Sequence, residues 1–185
     1  QILAGTEKTI FDLLQNRNSG DFVPIRQVAL NVLEKIEAAS KSNSTVTGIP
    51  TGFIDLDYRM SGLQPSDLIL IAARPSMGKT AFVLNVVEHV AVKKGLPCMV
   101  FSLEMSKEQL ATRMLSTEAL VDSNKLRSGH LSENDWVRLA SSADVLCGLP
   151  LYLDDTPGTN VPQIKAKLRR MKNIGLIVID YLQLM

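Results

Sequence analysis

The sequence predicts an α/β fold in which a parallel β-sheet carries helices on both faces, preceded by a helical segment. The predicted strands are apolar at consecutive positions, as strands buried on both faces are, and predicted helices separate them. One strand, at residues 67–73, also runs through a sharp loop directly into a helix that begins near Gly-Lys-Thr. Parallel sheets carry their sites at the carboxyl ends of their strands, so this loop is the first place to look for function.

Charge, cysteine spacing and the length of the apolar runs argue against a generally basic nucleic-acid-binding surface, a cysteine metal site and a membrane span. With 45% hydrophobic residues the chain can bury one substantial core, and its net charge of +1 gives no general basic surface for nucleic acid. The two cysteines, Cys98 and Cys147, lie outside any metal-binding pattern, so we expect buried thiols in a reducing compartment. Neither a signal peptide nor a membrane-length apolar run is present, which predicts a cytoplasmic protein without a membrane partner.

Residues 1–47 are predicted to form a helical linker region, and residues 48–185 the globular domain. A short amphipathic pattern at 7–14 comes first. A second helix follows at 24–37, with Pro24 suited to its first turn. One face of that helix is apolar, formed by Ile25, Val28, Ala29, Val32, Leu33 and Ile36. The spacing leaves open whether this face packs on its own domain or docks elsewhere, and the Ser/Thr-rich residues 38–47 indicate a solvated tether.

The globular domain begins at a turn, Gly48-Ile49-Pro50-Thr51-Gly52-Phe53, followed by a short predicted helix at 54–60. Apolar runs bounded by polar or glycine-containing segments then predict strands, and 3.6-residue periodicity predicts helices. The expected order is strand 67–73, helix 79–94, strand 98–103, helix 107–120, helix 133–146, strand 151–153, helix 161–172 and strand 176–180.

The loop after the first strand has the chemistry of a phosphate-binding loop. Backbone N–H groups of a loop and of a helix N-terminus surround an anion in such sites, and Gly78 allows close approach of the backbone. Lys79 would reach the β- and γ-phosphates, and the Thr80 hydroxyl would bind Mg²⁺. Ala73 replaces the first glycine of the usual pattern. The predicted nucleotide-binding residues are Arg74, Pro75, Ser76, Met77, Gly78, Lys79, Thr80 and Ala81.

Two carboxylates are predicted to complete the site. Asp180 ends the last apolar strand, where a carboxylate can hold the Mg²⁺ shell through water. Glu104 follows the strand after the loop helix, so it should share the same edge and could orient and deprotonate an attacking water. The alternative for Glu104 is an acid that merely favours the N-terminus of the helix beginning near Ser106.

Other residues carry weaker signals. Asp154 and Asp155 end the strand at 151–153 and either support the site or form the following turn. Trp136 falls at helical spacing with core positions, so we expect it to be buried. The basic residues of helix 161–172 are more typical of a solvated face than of a binding surface.

Several linked motifs give this chain a specific resemblance to a known family. Residues 73–80, Phe101-Ser102-Leu103-Glu104-Met105-Ser106 and Asp180-Tyr181-Leu182-Gln183-Leu184-Met185 closely resemble segments of the bacterial replicative DNA helicases of the DnaB family. The turn at 48–53 and residues 152–158 are similar to that family as well, and the match covers nearly the whole chain. Alanine at position 73 is usual in the family.

The resemblance implies a RecA-like P-loop motor domain that hydrolyses ATP with Mg²⁺. It implies a ring-shaped homo-hexamer in which helix 24–37 packs on the neighbouring subunit, with single-stranded or forked DNA, primase and a helicase loader as partners. Lys79 and Thr80, Glu104 and Asp180 would take the phosphate, water-activating and metal roles. The chain begins at Gln1 without an initiator methionine, and we expect DNA-binding loops, a sensor glutamine and a basic finger beyond Met185. The alternative is a RecA-like recombination or regulatory ATPase without unwinding activity.

Overall fold

The computed structural model of the chain describes residues 23–41, 46–74 and 76–184. Contacts divide the chain into two units, Gln1–Ser44 and Thr45–Met185. In the first unit, helix α1 spans Ile25–Lys41, and every side chain described in it is exposed. Glu37 and Lys41 form an ion pair of 2.6 Å one turn apart on this helix. The pattern at 7–14 lies outside the described residues.

The second unit is built around a parallel sheet of three strands in the order β2-β1-β3. The strands are β1 (Cys98–Ser102), β2 (Leu151–Asp154) and β3 (Leu176–Asp180). The register sets Cys98 of β1 opposite Leu151 on one side and Leu176 on the other. All five residues of β1 are buried. The predicted parallel α/β sheet is therefore confirmed, with β1 as its centre.

The prediction of a strand at residues 67–73 is wrong. Residues 67–74 form no strand, and the side chains of Leu68 and Leu70 are 86% and 75% exposed. An apolar run indicates a tendency to be buried, but a strand also needs a neighbouring backbone to receive its hydrogen bonds. Within the described residues no segment pairs with this run.

The helices of the second unit agree with the prediction at most positions. They are α2 (Ile54–Met60), α3 (Lys79–Lys94), α4 (Lys107–Ala119), α5 (Ser123–Ser128), α6 (Glu133–Cys147), α7 (Val161–Leu168) and a 3-10 turn at Leu182–Leu184. The sequence pattern does not predict helix α5, because six mostly polar residues show no periodicity. The carboxylate of Asp122 caps it, accepting a hydrogen bond of 2.7 Å from the N–H of Asn124.

Helix α7 ends four residues earlier than predicted, at Leu168 rather than at residue 172. The N–H groups of Arg170 and Met171 bind the carbonyls of residues three positions back, at 3.2 and 3.0 Å. Asn173 then adopts a left-handed conformation with φ of 58°. The sequence pattern favours a longer helix, but these tight turns redirect the chain toward β3.

Alternate residues of β1 face two different hydrophobic clusters. Cys98 and Val100 pack with α3 and α4 on one face, whereas Met99 and Phe101 pack with Ile164 of α7 on the other. The sheet is thus covered on both faces, as predicted. Burial raises the pKa of the Cys98 thiol to about 11. The expectation of two buried thiols is wrong for the second cysteine, Cys147, which is exposed at the end of α6.

A third cluster has Ala119, Val121 and Leu139 at its centre and joins α4 and α6 to α5 through the partly buried Leu126. Trp136 is not part of it: its side chain is 60% exposed, so the prediction that it is buried is wrong. The buried face of α6 instead follows Asp135, Leu139 and Ser142. Position 136 is turned by about 100° from position 135 around the helix, which carries the indole toward solvent. In the described part of the chain no helix is long and apolar enough to cross a membrane.

Asp135 links α5 to α6 by charge. Its buried carboxylate receives Lys125 Nζ at 3.1 Å, Arg138 Nη2 at 2.6 Å and the N–H of Ser132 at 3.1 Å. The backbone and side chain of Ser132, then Lys125 and Arg138, hold the pKa of Asp135 well below its ordinary value, although burial alone would raise it. A carboxylate with a depressed pKa stabilises the fold above its unfolded pKa of about 3.9, and this contribution is lost as the pH falls below that value.

We therefore expect Asp135→Asn to lower the melting temperature by several degrees at pH 7. The difference from wild type should shrink as the pH falls below about 4, because Asp135 then takes up a proton in the unfolded wild-type chain while the folded carboxylate stays charged. Thermal unfolding monitored by circular dichroism between pH 3 and pH 7 measures both effects. Asp144→Asn, at an exposed position of the same helix, is the control and should change little. A difference that stays constant from pH 3 to pH 7 would contradict this account.

Candidate active site

The loop before α3 turns sharply at residues in left-handed conformations. Ser76 has a φ of 64° and Gly78 a φ of 82°. A Cβ on Gly78 would meet no atom within 4 Å, so glycine is favoured there by its backbone conformation rather than by lack of space. The N–H of Met77 binds the carbonyl of Arg74 at 3.3 Å and closes the turn. Successive turns of this kind direct backbone N–H groups into a concave surface that suits an anion.

The N-terminus of α3 lacks the side-chain cap that α4, α5, α6 and α7 have, a lack that it shares with the short helix α2. Ser106, Ser132 and Asn160 form capping boxes at α4, α6 and α7. At α3 the N-cap is Gly78, and no side chain accepts a hydrogen bond there. The first N–H groups of a helix have no partner within the helix, and its dipole favours negative charge at this end. An anion bound at the loop would supply the missing acceptor.

Lys79, Thr80 and Asp180 form a cluster where α3 meets the end of β3. Lys79 Nζ lies 3.0 Å from Asp180 Oδ1, and the Thr80 hydroxyl donates to Asp180 Oδ2 at 2.6 Å. The Asp180 side chain is only 7% exposed, so both of its oxygens are held by these partners in a largely buried position. Lys79 Nζ also lies 4.2 Å from the ring centroid of Tyr181, a cation–π contact that orients the lysine.

Glu104 lies beyond the end of β1 at the same edge of the sheet. Ser102 is opposite Asp180 in the register of β1 and β3, and the N–H of Leu103 donates to the Asp180 carbonyl at 2.7 Å. Glu104 itself is exposed, and its carboxylate makes no hydrogen bond or ion pair with the described residues. Ser106, not Glu104, caps α4. The edge thus carries one buried carboxylate bound to a lysine and one exposed carboxylate without a partner in the described chain.

The remaining predicted nucleotide-binding residues lie around the loop. Arg74, Met77 and Ala81 are exposed, and Pro75 lies outside the described residues. Sequence reasoning missed Tyr181, whose signal was an aromatic residue directly after the strand-ending aspartate. It also left open the role of Asp155, which pairs with Lys107 across the sheet edge at 3.4 Å.

The donor set at the cluster fits Mg²⁺. The Thr80 hydroxyl and the Asp180 carboxylate are adjacent oxygen donors, the type that Mg²⁺ prefers. No group of three or more His, Cys, Asp or Glu side chains among the described residues could hold a metal ion. Mg²⁺ commonly binds through one or two protein oxygens and completes its shell with water and phosphate oxygens, so a site of this small size suits it.

Comparison with known proteins gives concordant results. Residues 48–185 match the family described as DnaB-like helicase C terminal domain. The chain is 45% identical to the replicative DNA helicase DnaC of Bacillus subtilis (strain 168), over 99% of this chain and 41% of that protein. It is 44% identical to the replicative DNA helicase DnaB of Geobacillus stearothermophilus, over 99% of this chain and 41% of that protein. The chain thus spans about two fifths of these relatives.

Solved structures agree. One described as an ATPase domain superposes with a TM-score of 0.81 at 31% identity, covering 89% of this chain and 59% of that one. A DnaB-like replicative helicase, studied with its interactions with primase, superposes with a TM-score of 0.75 at 30% identity. That match covers 96% of this chain and 44% of the solved chain. The fold is therefore that of RecA-like ATPase domains.

Proposed function

Because the chain belongs to the family of DnaB-like helicase C-terminal domains, we propose that it is the motor part of a replicative DNA helicase. In this proposal ATP hydrolysis drives movement along single-stranded DNA and unwinding of the duplex at the replication fork. The observation that carries it is the cluster of Lys79, Thr80 and Asp180 beside a helix N-terminus without a side-chain cap. A lysine, a hydroxyl and a carboxylate around a phosphate-binding loop are the groups that phosphoryl transfer requires.

The loop binds the nucleotide phosphates. Backbone N–H groups of Ser76 and of residues 78–81 donate to phosphate oxygens, and the positive end of the α3 dipole stabilises the phosphate charge. Lys79 moves from Asp180 to the β- and γ-phosphates, where its charge stabilises the transferred group. Thr80 and Asp180 would hold Mg²⁺, which neutralises charge on the phosphates when bound.

Glu104 is the proposed general base. It is exposed at the carboxyl edge of the sheet, and no described residue neutralises it, so it is available to orient a water molecule and accept its proton. Its neighbour Leu103 is bound to Asp180, which keeps the Glu104 loop close to the metal-side carboxylate. In this proposal the metal-side carboxylate and the water-activating group stand at the ends of adjacent strands, β3 and β1.

The proposal extends to partners. Helix α1 exposes apolar side chains, among them Ile25 at 80% and Leu33 at 60%, as a helix that docks on a neighbouring subunit of a homo-hexamer would. A solved relative was studied with its interactions with primase, which supports primase as a partner. A helicase loader is proposed from the resemblance to the DnaB family alone. Single-stranded DNA is the proposed track. The family also supports a cytoplasmic location.

The loop and Glu104 are tested by two substitutions in the intact protein. Lys79→Ala should weaken ATP binding by about tenfold or more, because a charge-assisted contact to phosphate is lost. Glu104→Gln should leave ATP binding within about twofold but lower kcat by about 10²–10⁴-fold, because only the base is removed. Equilibrium binding of a fluorescent nucleotide and steady-state ATPase rates separate the two effects.

Matched controls are available for both substitutions. Lys93→Ala lies at the exposed far end of α3, and Glu108→Gln lies at an exposed position in the first turn of α4. Both should behave as wild type. Unchanged turnover in Lys79→Ala would refute the assignment of the loop, and lost nucleotide binding in Glu104→Gln would indicate a structural role for that carboxylate.

The docking of α1 is tested by placing a charge on its apolar face. Leu33→Asp should weaken subunit association by about tenfold or more, because burial of a leucine contributes about 2 kcal/mol. Sedimentation velocity over a range of protein concentrations measures the change. Asn31→Asp introduces the same charge on the polar side of the same turn and should leave association unchanged. Equal behaviour of the two variants would refute docking through this face.

Unwinding of a forked DNA duplex separates the helicase from an ATPase that only binds nucleotide as a switch. The intact protein should unwind the fork in the presence of ATP, and the Glu104→Gln variant should not. ATP hydrolysis without strand separation, even with primase and loader present, would favour a recombination or regulatory ATPase.

A further inference from the structure

Glu104 stands on a short loop, residues 103–106, between β1 and α4. The start of this loop is bound to β3, since the N–H of Leu103 donates to the Asp180 carbonyl at 2.7 Å. Its middle is closed locally by Ser102, whose hydroxyl donates to the Met105 carbonyl at 2.7 Å and accepts from the Met105 N–H at 3.2 Å. These bonds leave the far end of the loop, where α4 begins, to be held by other contacts.

Asp155 holds that far end. It follows β2, and its Oδ2 accepts a hydrogen bond of 3.1 Å from the N–H of Lys107, the first residue of α4. Its Oδ1 lies 3.4 Å from Lys107 Nζ. The N–H of Lys107 lowers the pKa of Asp155, as the largest of several contributions, so the carboxylate is charged at neutral pH.

The other hydrogen bonds at the start of α4 are local, although Met105 and Leu110 also pack into the apolar core on that face of the sheet. Ser106 accepts from the N–H of Gln109, and the Gln109 side chain accepts from the N–H of Ser106. Both partners belong to the loop or to α4 itself, so neither ties this segment to the sheet. The contact of Asp155 with Lys107 joins residues 48 positions apart and links the loop to β2. Hydrogen bonds therefore tie the chain around Glu104 to β3 at Leu103 and to the residue after β2 at Lys107.

We propose that Asp155 is a positioning residue for Glu104, which it serves by fixing the end of the loop that carries this carboxylate. The inference rests on the proposed role of Glu104 as the general base. A base must lie within hydrogen-bonding distance of the attacking water, and a displacement of about 1 Å can cost about 10²-fold in rate. Asp155 makes no hydrogen bond or ion pair with the described residues of the nucleotide loop, so its effect should fall on the chemical step.

Neighbouring Asp154 provides a matched control. Its carboxylate binds Lys167 of α7 and accepts from the N–H of Thr156 at 3.1 Å. Burial alone would raise the pKa of Asp154, but these bonds outweigh it and the pKa lies below its ordinary value. The two aspartates thus share a strand end and each pairs with a lysine, but of the two only Asp155 binds Lys107, the residue directly after the Glu104 loop.

The test is steady-state ATP hydrolysis by the intact protein. Asp155→Ala should lower kcat about tenfold or more, while the KM for ATP and the binding of a fluorescent nucleotide stay within about twofold. The melting temperature should change little, because the Lys107 side chain is 56% exposed and such ion pairs contribute little to stability. Asp154→Ala should keep kcat within about twofold of wild type.

Two further variants identify the bond that matters. Asp155→Asn retains an oxygen that can accept from the N–H of Lys107, so most of the rate should return. Lys107→Ala removes the ammonium group but keeps that N–H, so it should also leave kcat nearly unchanged. A loss of rate in Lys107→Ala equal to that in Asp155→Ala would overturn the positioning role of the backbone bond.

Combination with Glu104→Gln distinguishes this inference from the proposed function. If Asp155 acts through Glu104, Asp155→Ala should not lower the residual rate of Glu104→Gln any further. Normal turnover in Glu104→Gln alone would refute the proposed base and this inference with it. A slow Glu104→Gln beside a fully active Asp155→Ala would overturn only the inference. A tenfold loss in both backgrounds, or a raised KM with lost stability, would also overturn it.

Discussion

The burial of β1 on both faces is the constraint on which the rest of the sheet domain depends. Its alternate residues face α3 and α4 on one side and α7 on the other, and both of its edges are paired, so the strand forms the centre of the sheet. Parallel pairing with β2 and β3 then brings three strand ends to one edge. Every polar group of the candidate site follows one of these ends or the N-terminus of α3, so the position of the site follows from the packing of β1.

The two carboxylates proposed for the site at that edge of the sheet, Asp180 and Glu104, differ in how many contacts fix their positions. Asp180 is buried, and Lys79 and Thr80 of α3 each contact one of its carboxylate oxygens, so the position of this carboxylate is fixed. Glu104 has no partner among the described residues, and its position depends on the loop beneath it. A buried, paired carboxylate suits a metal-holding role, whereas a base must keep its lone pairs free for water. The two environments thus fit the two roles proposed for these acids.

Local signals allowed much of the chain to be predicted. The helix at 79–94 and the strands near 98–102 and 176–180 were predicted at or close to their bounds, because periodicity, apolar runs and the Gly95 cap are encoded nearby. Failures came where the outcome depends on distant partners. Trp136 has the spacing of a core residue, yet the buried face of α6 is formed by Asp135, Leu139 and Ser142 and leaves Trp136 outside it. Residues 67–73 have the composition of a strand without a described strand beside them.

The sequence by itself determined that a phosphate-binding loop follows an apolar segment and that carboxylates follow apolar strands, since these patterns lie within a few residues. It did not determine which groups touch. The bond from Thr80 to Asp180 spans 100 positions, and that from Lys107 to Asp155 spans 48. Only the tertiary structure decided these contacts, because they depend on strand order and register, which arise from the packing of whole elements and leave no local periodic signal.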